Sequence, residues 1–371
     1  MRLFKTIKTT LHHSIQAQWL KKGLFSFLLS PLSGISYCYT QKKRQHYLTK
    51  PNLAFHAPVP VIVVGNIFVG GTGKTPLTIA LVKALQQRGY SPGIISRGYG
   101  VKIGKYAKSA FQQNAYPHEI GDEPSLLAQY APIAVHPIRS KAVEQLLLDY
   151  PTTNVIISDD GLQHYALARD IEIIVQDQRG TGNGQLLPAG PLRESASRLQ
   201  TVDFVVTNYN TKAQADQAYL TNTNSTKSNT SSSSEKTQHI GMYLSIQTFE
   251  HIVSGKHYSV SSFLRNFSHQ TFYAIAGIGH PQRFYQSLNN MGITLKATRD
   301  FDDHYAFQAE DLAPFTTGIV LMTSKDAIKC RHFAQDNWWA VHVDAQFTNP
   351  EFFDEIYHKV SHLPLYSTYT E

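Results

Sequence analysis

The chain has 371 residues, of which 42% are hydrophobic, and a net charge of +7. That length suits one large or two ordinary domains, and the apolar fraction fills a packed core. The two cysteines, Cys38 and Cys330, belong to no C-x-x-C pair, which excludes a disulfide framework and a zinc cluster and makes a reducing compartment the default. The charge is unevenly placed. No Asp or Glu precedes Glu119, while residues 1–118 carry sixteen Lys and Arg. Such a field selects anionic partners: nucleotide phosphates, nucleic acid or an acidic membrane surface.

In chain order, the first feature is Leu24 to Leu32, a nine-residue apolar stretch broken by Pro31. It is too short to span a bilayer, which takes about 20 apolar residues. Lys21, Lys22, Lys42, Lys43 and Arg44 flank it, with Trp19, Tyr37 and Tyr39 nearby. Two readings stand: a segment lying in a membrane interface, or an amphipathic helix packed on the domain. Residues 59–64 then read as a buried strand, and Pro76–Arg88 as a helix with Leu77, Ala80, Leu81, Ala84 and Leu85 on one face. Further strands are expected at 93–96, 155–158, 171–175 and 204–207, with helices at 124–130 and 141–150. Alternating strands and helices predict an α/β fold with a parallel sheet covered on both faces, which, with the glycine-rich Gly70–Thr75 between a strand and a helix, is P-loop NTPase-like. Residues 210–238, centred on TNTNSTKSNTSSSS, contain almost no large apolar residue and predict a disordered polar insertion or linker. Beyond them, strands at 242–246, 271–276, 318–322 and 339–343 and a helix at 281–290 predict a second, smaller α/β domain. The expected organisation is a basic, apolar segment (1–58), a first α/β domain (59–209), the polar insertion (210–238) and a second, smaller α/β domain (239–371).

The strongest chemical signal is GGTGKT: Gly70, Gly71, Thr72, Gly73, Lys74 and Thr75, after a strand and before a helix. Glycines let the backbone approach phosphate, and the helix start supplies amides. Lys74 reaches the terminal phosphates and Thr75 offers a hydroxyl to Mg²⁺. The loop departs from G-x-x-x-x-G-K-[ST] at one point, because Phe68 stands where the first glycine belongs. Asp159 and Asp160 end a strand, where a carboxylate binds Mg²⁺ and its waters. Asp122, in GDEP, reads either as a helix cap or as a carboxylate that deprotonates a hydroxyl; residue pattern alone favours the cap. Arg97, in SRGYG, and His304, in FDDH, are isolated signals. Residues 180–194 read as a turn-rich binding loop with no chemistry of their own.

Together, GNIFVGGTGKTP, SRGYG, GDEP, SDDGLQH, GNGQLLPAGPLRE, AIAGIGHPQRF, FDDH and TSKDAIK resemble the tetraacyldisaccharide 4′-kinase family, in order from about residue 60 to 330. The insertion after Asn208 is not part of that family's pattern. The resemblance implies ATP- and Mg²⁺-dependent phosphorylation of the 4′-hydroxyl of an acylated disaccharide 1-phosphate, at the cytoplasmic face of a Gram-negative inner membrane. It implies Lys74 and Thr75 at the phosphate and Mg²⁺ positions, and Asp159 and Asp160 as metal-site carboxylates. It implies Asp122 as base with His304 as its partner across the cleft. Glu123 and Arg97 match supporting positions, Glu123 on the metal side and Arg97 on the nucleotide side. The competing reading is a P-loop ATPase or GTPase switch acting on a protein partner. A nucleic-acid binder ranks last, because no recognition motif accompanies the basic region.

Overall fold

The computed structural model describes residues 17–226, 237–315 and 317–363. Thirteen strands form one sheet: β1 (Val61–Gly65), β2 (Pro92–Ser96), β3 (Lys108–Ala110), β4 (Ile133–Val135), β5 (Val155–Asp159), β6 (Ile171–Asp177), β7 (Phe204–Tyr209), β8 (Gln238–His251), β9 (His257–Ser259), β10 (Phe272–Ala276), β11 (Leu295–Asp300), β12 (Ile319–Thr323) and β13 (Trp338–Phe347). The order across it is β11-β10-β12-β13-β8-β7-β6-β1-β5-β2-β4-β3, with β9 on β8. The main helices are α1 (Leu24–Thr49), α2 (Lys74–Gln87), α3 (Asp122–Leu127), α4 (Arg139–Asp149), α5 (Lys212–Thr226), α6 (Val260–Phe267), α7 (Pro281–Asn290), α8 (Ser324–Cys330) and α9 (Phe352–Ser361).

Strand β1 lies between β5 and β6, parallel to both, and every residue in it is buried. A central parallel strand covered on both faces needs such an uninterrupted apolar run. Successive side chains point to opposite faces. Ile62 and Val64 accordingly join one core with Leu77 and Leu81 of α2, and Val61 and Val63 join another with Leu162 and Leu192. The second half repeats this device, with Ala274 and Leu321 on one face and Ile275 and Val320 on the other.

The halves meet at β8. Its first residues pair parallel with β7, and from Met242 to His251 it pairs antiparallel with β13. Strands β10 and β12 run parallel to β13. The two parallel blocks therefore run in opposite directions, so the carboxyl ends of β1, β5 and β7 face those of β10 and β12. Ligands of parallel α/β sheets bind at carboxyl strand ends, and here two sets share one cleft.

Three findings depart from sequence expectation. Residues 212–226 form helix α5 where a structureless linker was expected, and among its described side chains only Ala215 is buried. The Ser-rich part of that insertion, 227–236, lies outside the described residues, as do residues 1–16. Helix α9 returns from the second half to the first, burying Phe352, Ile356 and Val360 beside Phe204 and Val206. Helix α1 runs through Pro31 rather than stopping there. A proline cannot donate to the carbonyl four residues back, and the Ser30 hydroxyl takes that place, donating to the Phe27 carbonyl at 2.8 Å. The polarity of α1 is inverted. Its buried residues are Ser26 and Ser33, while Leu24, Phe27, Leu28, Leu32 and Ile35 face outward. Among the described residues no helix is long and apolar enough to cross a membrane.

Candidate active site

Gly70, Gly71, Thr72, Gly73, Lys74, Thr75, Arg97, Glu123, Asp159, Asp160 and His304 line one cleft of about 940 Å³ between the two blocks. Asp122 meets that cleft through His304. The phosphate loop leaves β1, turns at Gly70 and Gly73, both at positive φ, and enters α2 at Lys74. Gly73 has no room for a side chain, because the Asn208 amide occupies the space a Cβ would need.

The carboxyl end of β5 delivers two carboxylates with different surroundings. Asp159 is buried and accepts a hydrogen bond from the Ser96 hydroxyl at 3.3 Å. Burial, with Glu123 and Asp160 adding negative charge, pushes its carboxyl up to about 7. Asp160 sits at positive φ, an uncommon conformation for a side-chain-bearing residue. Burial raises its carboxyl too, but Lys74 at 3.4 Å and Arg193 at 3.1 Å outweigh that and hold it below the usual range. Arg139, almost fully buried in α4, props the turn by donating to the Asp159 carbonyl at 3.2 Å. Burial pulls its guanidinium down to about 10, so it stays charged at neutral pH.

The opposite wall is shared between the two blocks. His304, also at positive φ, places Nδ1 3.2 Å from Asp122 Oδ2. Asp122 is the first residue of α3, whose cap is Gly121. The cap expected of the acid is therefore absent, and the carboxylate turns to His304. Burial raises the Asp122 carboxyl, but the His304 hydrogen bond, with Lys329, His304 and Lys325 charge, brings it below the ordinary carboxylate range. Lys325 of α8 bridges Glu123 and Asp303, 3.0 Å from each. Those two acids hold its ammonium well above the ordinary lysine range despite burial. Arg97 is exposed at the rim.

Several residues of the site carried no readable signal. Arg193 comes from the turn-rich loop, whose backbone is stitched to the phosphate loop: Val69 N donates to Pro191 O at 2.9 Å and Arg193 N to Ile67 O at 2.7 Å. Lys325 sits in TSKDAIK and was part of the family pattern without a role. Asn66, Arg179 and Asn208 contact the loop and belong to no spacing rule.

A phosphate loop at the end of a central parallel strand, with carboxylates at the next strand end and a His–Asp pair facing them, defines a P-loop phosphotransferase. Residues 25–361 match the family model described as Tetraacyldisaccharide-1-P 4′-kinase. The chain is 42% identical over 341 residues to the tetraacyldisaccharide 4′-kinase of Bordetella petrii, covering 91% of this chain and 93% of that one. It is 41% identical to the Haemophilus influenzae protein of the same name, covering 91% and 96%. The crystal structure of LpxK from Aquifex aeolicus in complex with ATP matches with a TM-score of 0.72 at 26% identity, covering 91% of this chain and 99% of that chain. The chain belongs to the tetraacyldisaccharide-1-P 4′-kinase family.

Proposed function

We propose that this protein transfers the γ-phosphoryl group of ATP to the 4′-hydroxyl of a tetraacyldisaccharide 1-phosphate. The observation that carries this reading is the Asp122–His304 pair, 3.2 Å apart, facing the phosphate loop across one cleft. A nucleotide switch needs to position water and a partner surface. A kinase needs a carboxylate to take the proton of a weakly nucleophilic hydroxyl as the new P–O bond forms. Asp122 is the base. His304 orients it and, by hydrogen bonding to its charged form, keeps it ionised. Lys74 balances charge on the transferred group and Arg193 assists from the Asp160 side.

The residues fit a divalent cation. Asp159 is buried beside Glu123 and Asp160, its carboxyl pushed up to about 7, and a hard cation would favour its ionised form. Among the described residues no three His, Cys, Asp or Glu form a cage by themselves. Mg²⁺ characteristically takes one or two carboxylates and completes its shell with phosphate oxygens and water. Asp159, Asp160 and Thr75 would hold it, with Glu123 nearby. When bound, it neutralises charge on the phosphate oxygens.

The inverted polarity of α1 supports attachment to the anionic cytoplasmic face of an inner membrane. Its outward apolar row would enter the interface, and each Lys or Arg near the surface adds about 1 kcal/mol. We read residues 1–58 as that attachment, 59–209 as the kinase unit, and the second unit as the part that closes on the cleft. Labelled ATP, Mg²⁺ and the disaccharide lipid test the reaction: labelled lipid is expected, and ATP hydrolysis without lipid labelling overturns it in favour of a switch. For attachment, Leu28→Asp with Ile35→Asp is expected to release the protein from anionic vesicles, both positions being exposed. Undiminished pelleting rejects the interfacial role.

A further inference from the structure

Three consecutive carbonyls of the phosphate loop are each held by a side chain from a different strand end. Asn66, one residue past β1, donates from Nδ2 to the Gly70 carbonyl at 3.1 Å. Arg179, two residues past β6, donates from Nη2 to the Gly71 carbonyl at 3.2 Å. Asn208, near the end of β7, donates from Nδ2 to the Thr72 carbonyl at 3.1 Å. In a trans peptide the C=O and the following N–H point opposite ways. Each engaged carbonyl therefore turns the next amide away from the side chain that holds it. The amides so turned belong to Gly71, Thr72 and Gly73.

The three holders are themselves fixed. Asn66 is fully buried and also reaches the Thr72 hydroxyl at 3.2 Å. Asp177 accepts from Arg179 Nε at 3.0 Å and from Nη2 at 2.8 Å. The Arg179 guanidinium lies over the Phe68 ring, 4.3 Å from its centroid. Phe68 is the residue that breaks the usual loop pattern. It is buried and bridged to Leu192, so the chain stays extended there and the turn is postponed to Gly70. The aromatic ring that replaces a glycine thus supports the arginine that secures the shortened turn. Asn208 is buried, and its Oδ1 accepts from Arg283 of α7 at 3.3 Å, which ties the loop to the second block.

We propose that Asn66, Arg179 and Asn208 are positioning residues of the phosphate loop, holding its carbonyls so that the amides of Gly71, Thr72 and Gly73 face the phosphate chain of the nucleotide. The inference rests on the loop binding ATP and is independent of which hydroxyl receives the phosphoryl group.

The test is equilibrium binding of Mg²⁺-ATP, Mg²⁺-triphosphate and adenosine to the full-length protein and to Arg179→Lys and Asn208→Ala. Each variant is expected to weaken ATP and triphosphate by about the same factor, roughly tenfold for a lost hydrogen bond involving a charged or buried group. Adenosine binding stays near that of the unaltered protein. Arg179→Lys keeps the charge but loses the planar fork, so wild-type ATP binding by this variant overturns the positioning role in favour of charge alone. ATP affinity unchanged in Asn208→Ala, or loss for ATP without loss for triphosphate, also overturns it. Should either variant unfold, Asn208→Ser, which keeps a donor, is expected to bind triphosphate better than Asn208→Ala; equal binding counts against the proposal. Failure of the lipid-kinase reading looks different: the unaltered protein binds ATP and transfers nothing to lipid.

Discussion

The two walls of the cleft are built by opposite means. On the nucleotide wall Asn66, Thr72 and Asn208 are no more than 2% exposed, and they bond mostly to backbone within one block. On the facing wall Asp122, His304 and Asp303 have side chains 19%, 34% and 38% exposed, and the bonds that join Asp122 to His304 and Glu123 to Lys325 run from one block to the other. Buried side chains hydrogen-bonded to backbone are held in place. Half-exposed ion pairs between separately packed units are weak individually. The nucleotide wall is thus preformed, whereas the acceptor wall is complete only while the second block is close. On the proposed function, an enzyme organised this way is expected to bind ATP before its base is complete.

The largest effect that sharpens this contrast comes from the acceptor wall. Asp122→Ala is expected to lower kcat by about 10²- to 10⁴-fold, the usual worth of a positioned base, with little change in KM for ATP. Steady-state kinetics with ATP varied at saturating lipid decides it. A collapse of ATP affinity instead would remove Asp122 from the base role and erase the distinction between the walls.

His304→Ala comes next, with a loss of about tenfold in kcat for an orienting hydrogen bond at a partly exposed site. Its more telling consequence is in pH. The Asp122 carboxyl is depressed although burial opposes this, and the His304 hydrogen bond leads the causes that lower it. The base acts when ionised, so activity is lost as pH falls through the Asp122 pKa. Removing His304 raises that pKa, and the acid limb of the kcat profile should move to higher pH. A limb that stays in place would make His304 a structural residue only.

What the sequence made legible follows the same division. The loop, Lys74 and Thr75 join a strand to the helix that follows it, and Asp159 and Asp160 stand at a strand end, where local rules apply. The Asp122–His304 pair spans 182 positions and was reached through family resemblance, since a GDEP segment read alone predicts a cap. Arg179 and Asn208 were invisible because they act on carbonyls through folding, with no spacing to betray them. Helix α5 escaped notice because it buries little apolar surface. The inversion of α1 was equally hidden: Ser26 and Ser33 look like surface residues until Asn183 Nδ2 and Ala189 N are seen donating to their hydroxyls, 2.8 and 3.0 Å away. The return of α9 to the first block could not be read either, because its apolar face suits any core.

Lys325→Met gives the smallest and most discriminating effect. Lys325 is ion-paired to both blocks and to neither member of the proposed Asp122–His304 pair. Its ammonium bridges Glu123 of the first block to Asp303 of the second. Without it two carboxylates face each other uncompensated, and the second block should sit farther from the first on average. The expected result is a rise of a few-fold in lipid KM, the scale of one partly buried ion pair, with ATP binding unchanged because the nucleotide wall does not depend on the bridge. The acid limb of kcat should also move to higher pH, but less than in His304→Ala, since Lys325 acts on Asp122 through charge alone and ranks last among the groups that depress it. An acid-limb shift as large as that of His304→Ala would place Lys325 in the base machinery itself. An equal loss of ATP affinity would mean that the two walls form together.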